Sequence, residues 1–213
     1  RDLTVTGVQT CALPILNCLN FGNPEHPEVM WQLSEAVDGL AEACVAFGVP
    51  VVGGNVSLYN ESAGTDIDPT PVIGLLGIVD DLVRRPPGAT LVDGHRLVLL
   101  GPPDVSLSGS LWGATRDARG GVLAPLDLGL HQRVVDLVRG LVVSGRVDGV
   151  HDVSAGGLGV AIAEMVSRSG VGAHLARVDD HRALFGEGPS RVVLVVDPEC
   201  LSDVLAAAEA AAV

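Results

Sequence analysis

Residues 27–57 read PEVMWQLSEAVDGLAEACVAFGVPVVGGNVS, and the change of period inside this stretch sets the fold class. Met30, Leu33, Val37, Leu40, Cys44 and Phe47 recur at three- and four-residue steps, which makes one apolar stripe along an α-helix. Pro27 suits the first turn, where a missing N–H costs nothing, and Gly48 suits the residue just past the end. Val49 to Val52 then predicts a short buried strand running into Gly53-Gly54-Asn55. Outward from there, Val72 to Val79 predicts a second strand and Arg96 to Leu100 a third. Leu130 to Val143 reads as an amphipathic helix. His151-Asp152-Val153-Ser154 leads into a helix over Gly157 to Ser167, with Leu158, Ala161, Ile162, Met165 and Val166 inward. Arg191 to Val196 predicts a strand, and Leu201 to Val213 begins a helix. Strands and helices interleave without a strict βαβ rhythm, so the expected class is α+β, of the α/β sandwich type.

Composition limits what such a chain can do. Its 213 residues are 47% hydrophobic with a mean hydropathy of +0.41, enough for one large or two small domains and too apolar for disorder. No apolar run reaches the ~18 residues that span a bilayer, so no membrane is expected. The net charge is −13, and all 13 positive side chains are arginines. A nucleic-acid surface needs a basic stripe to neutralise phosphates, so polymeric nucleic acid is excluded as a partner. ATP is not excluded, because backbone N–H groups and a bridging Mg²⁺ meet phosphates locally. Cys11, Cys18, Cys44 and Cys200 form no CxxC pair and sit among apolar neighbours. They predict free thiols in a reducing cytoplasm rather than a zinc site or a disulfide framework. The opening residues lack the basic region and apolar core of a secretory leader.

Residues 1–16 (RDLTVTGVQTCALPIL) show no sustained period and read as a scar of sequence assembly, or else as an edge strand. They are set aside from the functional argument. RRPPGATLVDG, ending at Gly94, is rich in turn residues and marks a boundary between 17–93 and 94–213.

Four segments are candidates for chemistry. Asn17-Cys-Leu-Asn20-Phe-Gly22-Asn23-Pro24 offers amides and residues tolerant of unusual backbone angles, as a ligand-facing loop requires. An ordinary strand-to-helix turn is the simpler reading of that pattern. In Val51 to Glu61, two glycines follow an apolar strand and allow close approach to phosphates. Asn55 adds a hard carbonyl oxygen suited to Mg²⁺ and Ser57 a hydroxyl. The segment is neither a Walker loop nor a GxGxxG fingerprint, and a Gly-Gly hairpin turn explains it equally well. In His151 to Leu158, Asp152 or Ser154 could cap the helix, with first-turn N–H groups above Gly156 and Gly157; capping alone explains both. His151 reads as a packed histidine rather than a base. Glu187 and Arg191 face either a nucleotide or, more simply, each other. No Ser/His/Asp arrangement, paired-carboxylate motif or metal-binding His/Cys cluster stands out.

Taken in order, NCLNFGNPEHPEVMWQLSEAVDGLAEACVAFGVPVVGGNVSLYNES, PTPVIGLLGIVDD, HDVSAGGLGVAIAEM and GEGPSRVVL resemble the phosphoribosylformylglycinamidine synthase family of AIR-synthetase-like enzymes, in the second half of their synthetase subunit. The resemblance runs from about Asn17 to the C-terminus. It implies an AIR-synthetase-like N-terminal-type domain ending at about residue 93, followed by a C-terminal-type domain over 94–213. It also implies a cytoplasmic, ATP- and Mg²⁺-dependent ligase of purine biosynthesis. That enzyme makes formylglycinamidine ribonucleotide from formylglycinamide ribonucleotide and glutamine-derived ammonia. In the multi-subunit form its partners are a glutaminase subunit and a small accessory subunit. By resemblance Asn17 and Gly54 contact ATP, Asn55 a Mg²⁺ ion and Ser57 the substrate. Asn17 stands where the family often has aspartate. Asp152, Ser154, Gly156, Gly157 and Glu187 match a site at which the family holds a nucleotide structurally. The family's catalytic histidines, ATP-contacting lysine and most Mg²⁺ carboxylates belong to an upstream half. No catalytic residue is therefore assigned, and the chain alone is expected to be inactive. The rival readings are another ATP-dependent member of the superfamily, or a non-catalytic nucleotide-binding or assembly module.

Overall fold

The helix–strand unit that residues 27–57 call for is present in a computed structural model. It describes residues 10–79, 86–118, 120–176 and 178–213, and only the backbone of 10–14, 78 and 79. The chain divides into two units, Arg1–Arg84 and Arg85–Val213.

The first unit runs β1 (Thr10–Asn20), α1 (Pro27–Phe47), β2 (Val51–Ser57), β3 (Glu61–Ser62), β4 (Thr65–Asp66) and β5 (Thr70–Val79). Its main sheet has the order β2-β1-β5, and β3 and β4 form a separate two-stranded sheet. β1 and β2 are parallel, which requires a crossover, and α1 supplies it. β5 returns antiparallel to β1. The helix obeys its punctuation: Pro27 sits in the first turn, and Gly48 closes the end in the left-handed region at φ 65°. Its apolar stripe is less covered than the period predicts. Val29 is its buried residue, whereas Met30 and Val37 are exposed. The core of this unit is small, with Leu19, Phe21 and Val29 packed against Leu33, Ala36 and Leu58.

Two expectations change here. β1 continues across the 16/17 boundary and is the middle strand, so the edge placement fails at Ile15 and Leu16, which pair on both sides. The register shifts between Ala12 and Ile15, where Pro14 has no N–H to give the ladder. The assembly-scar reading of residues 1–9 lies outside the described residues, as do Arg84 and Arg85 of the boundary stretch. The second change is that Gly53 and Gly54 lie inside β2, not in a turn after it.

The second unit runs β6 (Arg96–Leu100), α2 (Leu111–Ala114), α3 (Leu128–Val143), β7 (Gly149–Asp152), α4 (Gly157–Ser169), α5 (His181–Phe185), β8 (Val192–Val196) and α6 (Leu201–Ala210). Its sheet is antiparallel in the order β6-β8-β7. β8 explains its own sequence. Val193 and Val195 pack on one face with Leu158, Ile162 and Met165 of α4. Leu194 and Val196 pack on the other with Leu141 of α3 and Val204 of α6. A strand covered on both faces has no reason to alternate, hence Val-Val-Leu-Val-Val. Asp127 and Asp180 cap α3 and α5 by accepting from Leu130 N (2.9 Å) and Ala183 N (3.0 Å).

Leu194 is fully buried at the centre of this unit. Leu194→Ala should cost about 2–5 kcal/mol, read as a lower denaturant midpoint at unchanged slope.

Candidate nucleotide site

The parallel register of β1 and β2 puts four residues singled out in the sequence side by side. Asn17 pairs with Gly54, Cys18 with Asn55 and Asn20 with Ser57. The contact at Gly54 is severe: a Cβ there would overlap both the backbone oxygen and the side-chain Oδ1 of Asn17. Its φ of 151° is also one that side-chain-bearing residues avoid. Glycine is thus required for the strands to close, and it leaves bare backbone beside Asn17. Asn55 is exposed and Ser57 half-buried.

The turns around these strands are held by side chains that the sequence did not single out. Asn60 Nδ2 donates to the carbonyls of Phe21 and Ser57, both at 2.9 Å. Asp66 accepts from Asn23 N at 2.7 Å and meets His26 Nδ1 at 2.7 Å. A Cβ on Gly22 would strike the Asp66 side chain, which explains glycine in the Asn-Phe-Gly-Asn turn. The Asn23 N–H and then His26 hold the Asp66 carboxyl below its ordinary value. The hydrogen bond and charge of Asp66 raise His26, helped by Glu25 and Glu61. A turn asparagine three residues past a strand end was a usable signal for Asn60. Asp66, far along the chain, carried none.

The second group also converges, in a different arrangement from the one expected. The N-cap of α4 is Gly156 itself, with φ 83°, and neither Asp152 nor Ser154 caps the helix. Instead Ser154 Oγ donates to Asp152 Oδ2 at 2.6 Å, which is the main reason the Asp152 carboxyl lies below its ordinary value. Gly157 is pressed against the carbonyls of Leu184 and Gly186. Glu187 Oε1 accepts from Gly156 N at 2.8 Å and Leu111 N at 2.7 Å. A carboxylate of the chain therefore already occupies the anion-attracting start of α4. Glu187 and Arg191 do not form an ion pair. Arg191 is buried, its Nε and Nη1 lack partners among the described residues, and burial lowers its pKa. His151 is packed, with Nε2 3.0 Å from Glu164 Oε2 and Nδ1 2.7 Å from the Asp152 carbonyl oxygen.

A cleft of about 540 Å³ is lined by His151, Asp152, Ser154, Glu164 and Arg168, over apolar Val138, Val150 and Val192. A larger cavity of about 600 Å³ lies along β6 and α4, away from every candidate residue. Among the described residues, no group of three or more His, Cys, Asp or Glu side chains could hold a metal ion. No helix among them is long and apolar enough to cross a membrane.

A helix-linked mixed sheet followed by an antiparallel sheet with helices on both faces defines the class of AIR-synthase-like two-domain proteins. The chain belongs to the AIR synthase related protein family: residues 92–213 match its C-terminal domain and residues 1–79 its N-terminal domain. It is similar to phosphoribosylformylglycinamidine synthase subunit PurL of Renibacterium salmoninarum, 42% identical over 204 residues, covering 92% of this chain and 26% of that one. The chain thus spans about a quarter of the length of the curated relatives it matches. Among solved structures it resembles Thermotoga maritima PurL complexed with FGAR (TM-score 0.67, 19% identity, 95% of this chain and 34% of that one). The same protein complexed with ATP gives a TM-score of 0.65 at 18% identity, with 95% and 32% covered. Escherichia coli HypE resembles it as closely, with a TM-score of 0.66 at 18% identity and 94% and 64% covered. The fold alone does not choose between PurL and HypE; the 42% sequence identity favours PurL.

Gly54→Ala should cost about 1–3 kcal/mol for its backbone conformation alone, with the overlap on Asn17 added, measured by denaturant unfolding. For the His26–Asp66 pair, both groups support folding fully between their ordinary values of 3.8 and 6.5. The His26 share is lost as pH rises through its raised value, and the Asp66 share as pH falls through its lowered one. His26 should titrate above 6.5 by NMR and fall back towards that value in Asp66→Asn.

Proposed function

We propose that this chain supplies one edge of the ATP and substrate site of a phosphoribosylformylglycinamidine synthase. This ATP-dependent C–N ligase of purine biosynthesis converts formylglycinamide ribonucleotide, ATP and ammonia to formylglycinamidine ribonucleotide, ADP and phosphate. The observation that carries the reading is the bare Gly54 backbone pressed on Asn17, with Asn55 and Ser57 following on the same strand. The 42% identity to a PurL subunit supports the choice of reaction. The remainder of the site, including its general acid–base groups, comes from residues outside these 213. In the multi-subunit form a glutaminase subunit supplies the ammonia and a small accessory subunit completes the complex in the cytoplasm.

In this reading Asn17 and the Gly54 backbone hold ATP, and Ser57 holds the ribonucleotide. ATP phosphorylates the formamide oxygen, ammonia adds to that carbon, and phosphate leaves. The contribution of this chain is placement: the strand pair fixes nucleotide and substrate contacts on one rigid ladder, so that reacting groups meet in a set geometry. A Mg²⁺ ion bound here would supply charge neutralisation at the phosphates. Asn55 fits it as a single neutral oxygen ligand, so the carboxylates such an ion needs come from elsewhere. Asp152, Ser154, Gly156 and Gly157 form the second nucleotide site of the reading. In this reading that site holds a nucleotide structurally rather than turning it over.

Calorimetry on the 213-residue chain tests the assignment. Weak ATP binding is expected, lost in Gly54→Ala, with ribonucleotide binding reduced in Ser57→Ala and no ammonia-driven ADP release. A folded chain indifferent to ATP would sink the site assignment, and ADP release by the chain alone would sink the division of labour.

A further inference from the structure

Asn60 ties together the ends of the two strands that carry the candidate site. Its Nδ2 donates to the Phe21 and Ser57 carbonyls at 2.9 Å each, and its backbone N–H donates to the Phe21 carbonyl at 3.2 Å. Two carbonyl partners fix which end of the carboxamide is nitrogen, because only the NH₂ group donates. The oxygen end therefore faces Ser57, whose Oγ lies 3.2 Å from Oδ1 and 3.1 Å from Nδ2. With both Nδ2 hydrogens committed to carbonyls, the Ser57 hydroxyl donates to Oδ1. The turn holding Asn60 is itself constrained. Tyr59 sits at φ 58°, unusual for a non-glycine residue, and its N–H donates to the Gly22 carbonyl at 2.8 Å.

We propose that Asn60 is a positioning residue that locks the Ser57 hydroxyl in one rotamer with its lone pairs facing the ligand. A free serine samples three staggered χ1 wells; the Asn60 carboxamide selects one and anchors it to both strand ends. The proposal rests on the reading of Ser57 as a substrate contact. It adds that Asn60 touches no ligand and acts only through Ser57.

A double-mutant cycle on the 213-residue chain, with formylglycinamide ribonucleotide as the probe, separates this role from general support of the fold. Ser57→Ala and Asn60→Ala should each weaken the probe by about 3–10-fold, the range expected for one hydrogen bond. The double variant should lose no more than Ser57→Ala alone. By NMR coupling constants, Ser57 should hold one χ1 rotamer in the wild type and average over several in Asn60→Ala. Losses that multiply in the double variant, or a single Ser57 rotamer that survives in Asn60→Ala, overturn the proposal. If Asn60→Ala does not fold, the wild-type coupling decides, since rotamer averaging there refutes the lock. If the wild type binds no probe, the substrate reading of Ser57 fails on its own, and the rotamer measurement still settles whether Asn60 positions it.

Discussion

The first unit depends on the contact between Gly54 and Asn17. A parallel strand pair closes only if nothing projects from Gly54 into the Asn17 backbone, and any Cβ there would. Everything assigned to the candidate site follows from that closure, since the register placing Asn55 opposite Cys18 and Ser57 opposite Asn20 is the register that Gly54 permits. A larger residue would push the strands apart beside Asn17. The same glycine that makes the ladder possible also exposes its backbone, so fold and site impose one requirement on one position.

Outside the ladder, the chain holds the turns beside it with polar side chains rather than with bulk. The apolar core of the first unit is small, and Asn60 and Asp66 do the holding, each joining segments well separated in sequence. The second unit is built the other way. β8 buries both faces and supplies rigidity, while Glu187 joins the starts of α2 and α4 by accepting from Leu111 N and Gly156 N. Each of these groups bonds backbone donors or acceptors of segments far apart in sequence, which is how a single side chain orders a turn.

Legibility divided along the same line. Helices with a clear period and clear punctuation were readable: Pro27 and Gly48 bound α1 where expected, and the double-sided burial of β8 is written in its unbroken apolar run. Which residues a stripe buries was not readable, because period reports a tendency to be covered, whereas burial needs a cover. Met30 and Val37 keep the period and remain exposed. The Gly-Gly pair looked like a turn because glycine usually breaks strands, and only the register reveals that Asn17 occupies the space of its missing Cβ. For the same reason Glu187 looked like half of a surface pair with Arg191. Its true partners are two backbone N–H groups, which no residue-type pattern records.

The two candidate sites differ in what they leave open, and this decides how each can act. Along β2, Gly54 and Asn55 are exposed and the half-buried Ser57 Oγ lies 3.2 Å from Asn60 Oδ1. At α4 the internal Glu187 carboxylate already sits on the helix start, and Ser154 is spent on Asp152. A phosphate arriving there would have to displace a carboxylate that is hydrogen-bonded to two N–H groups.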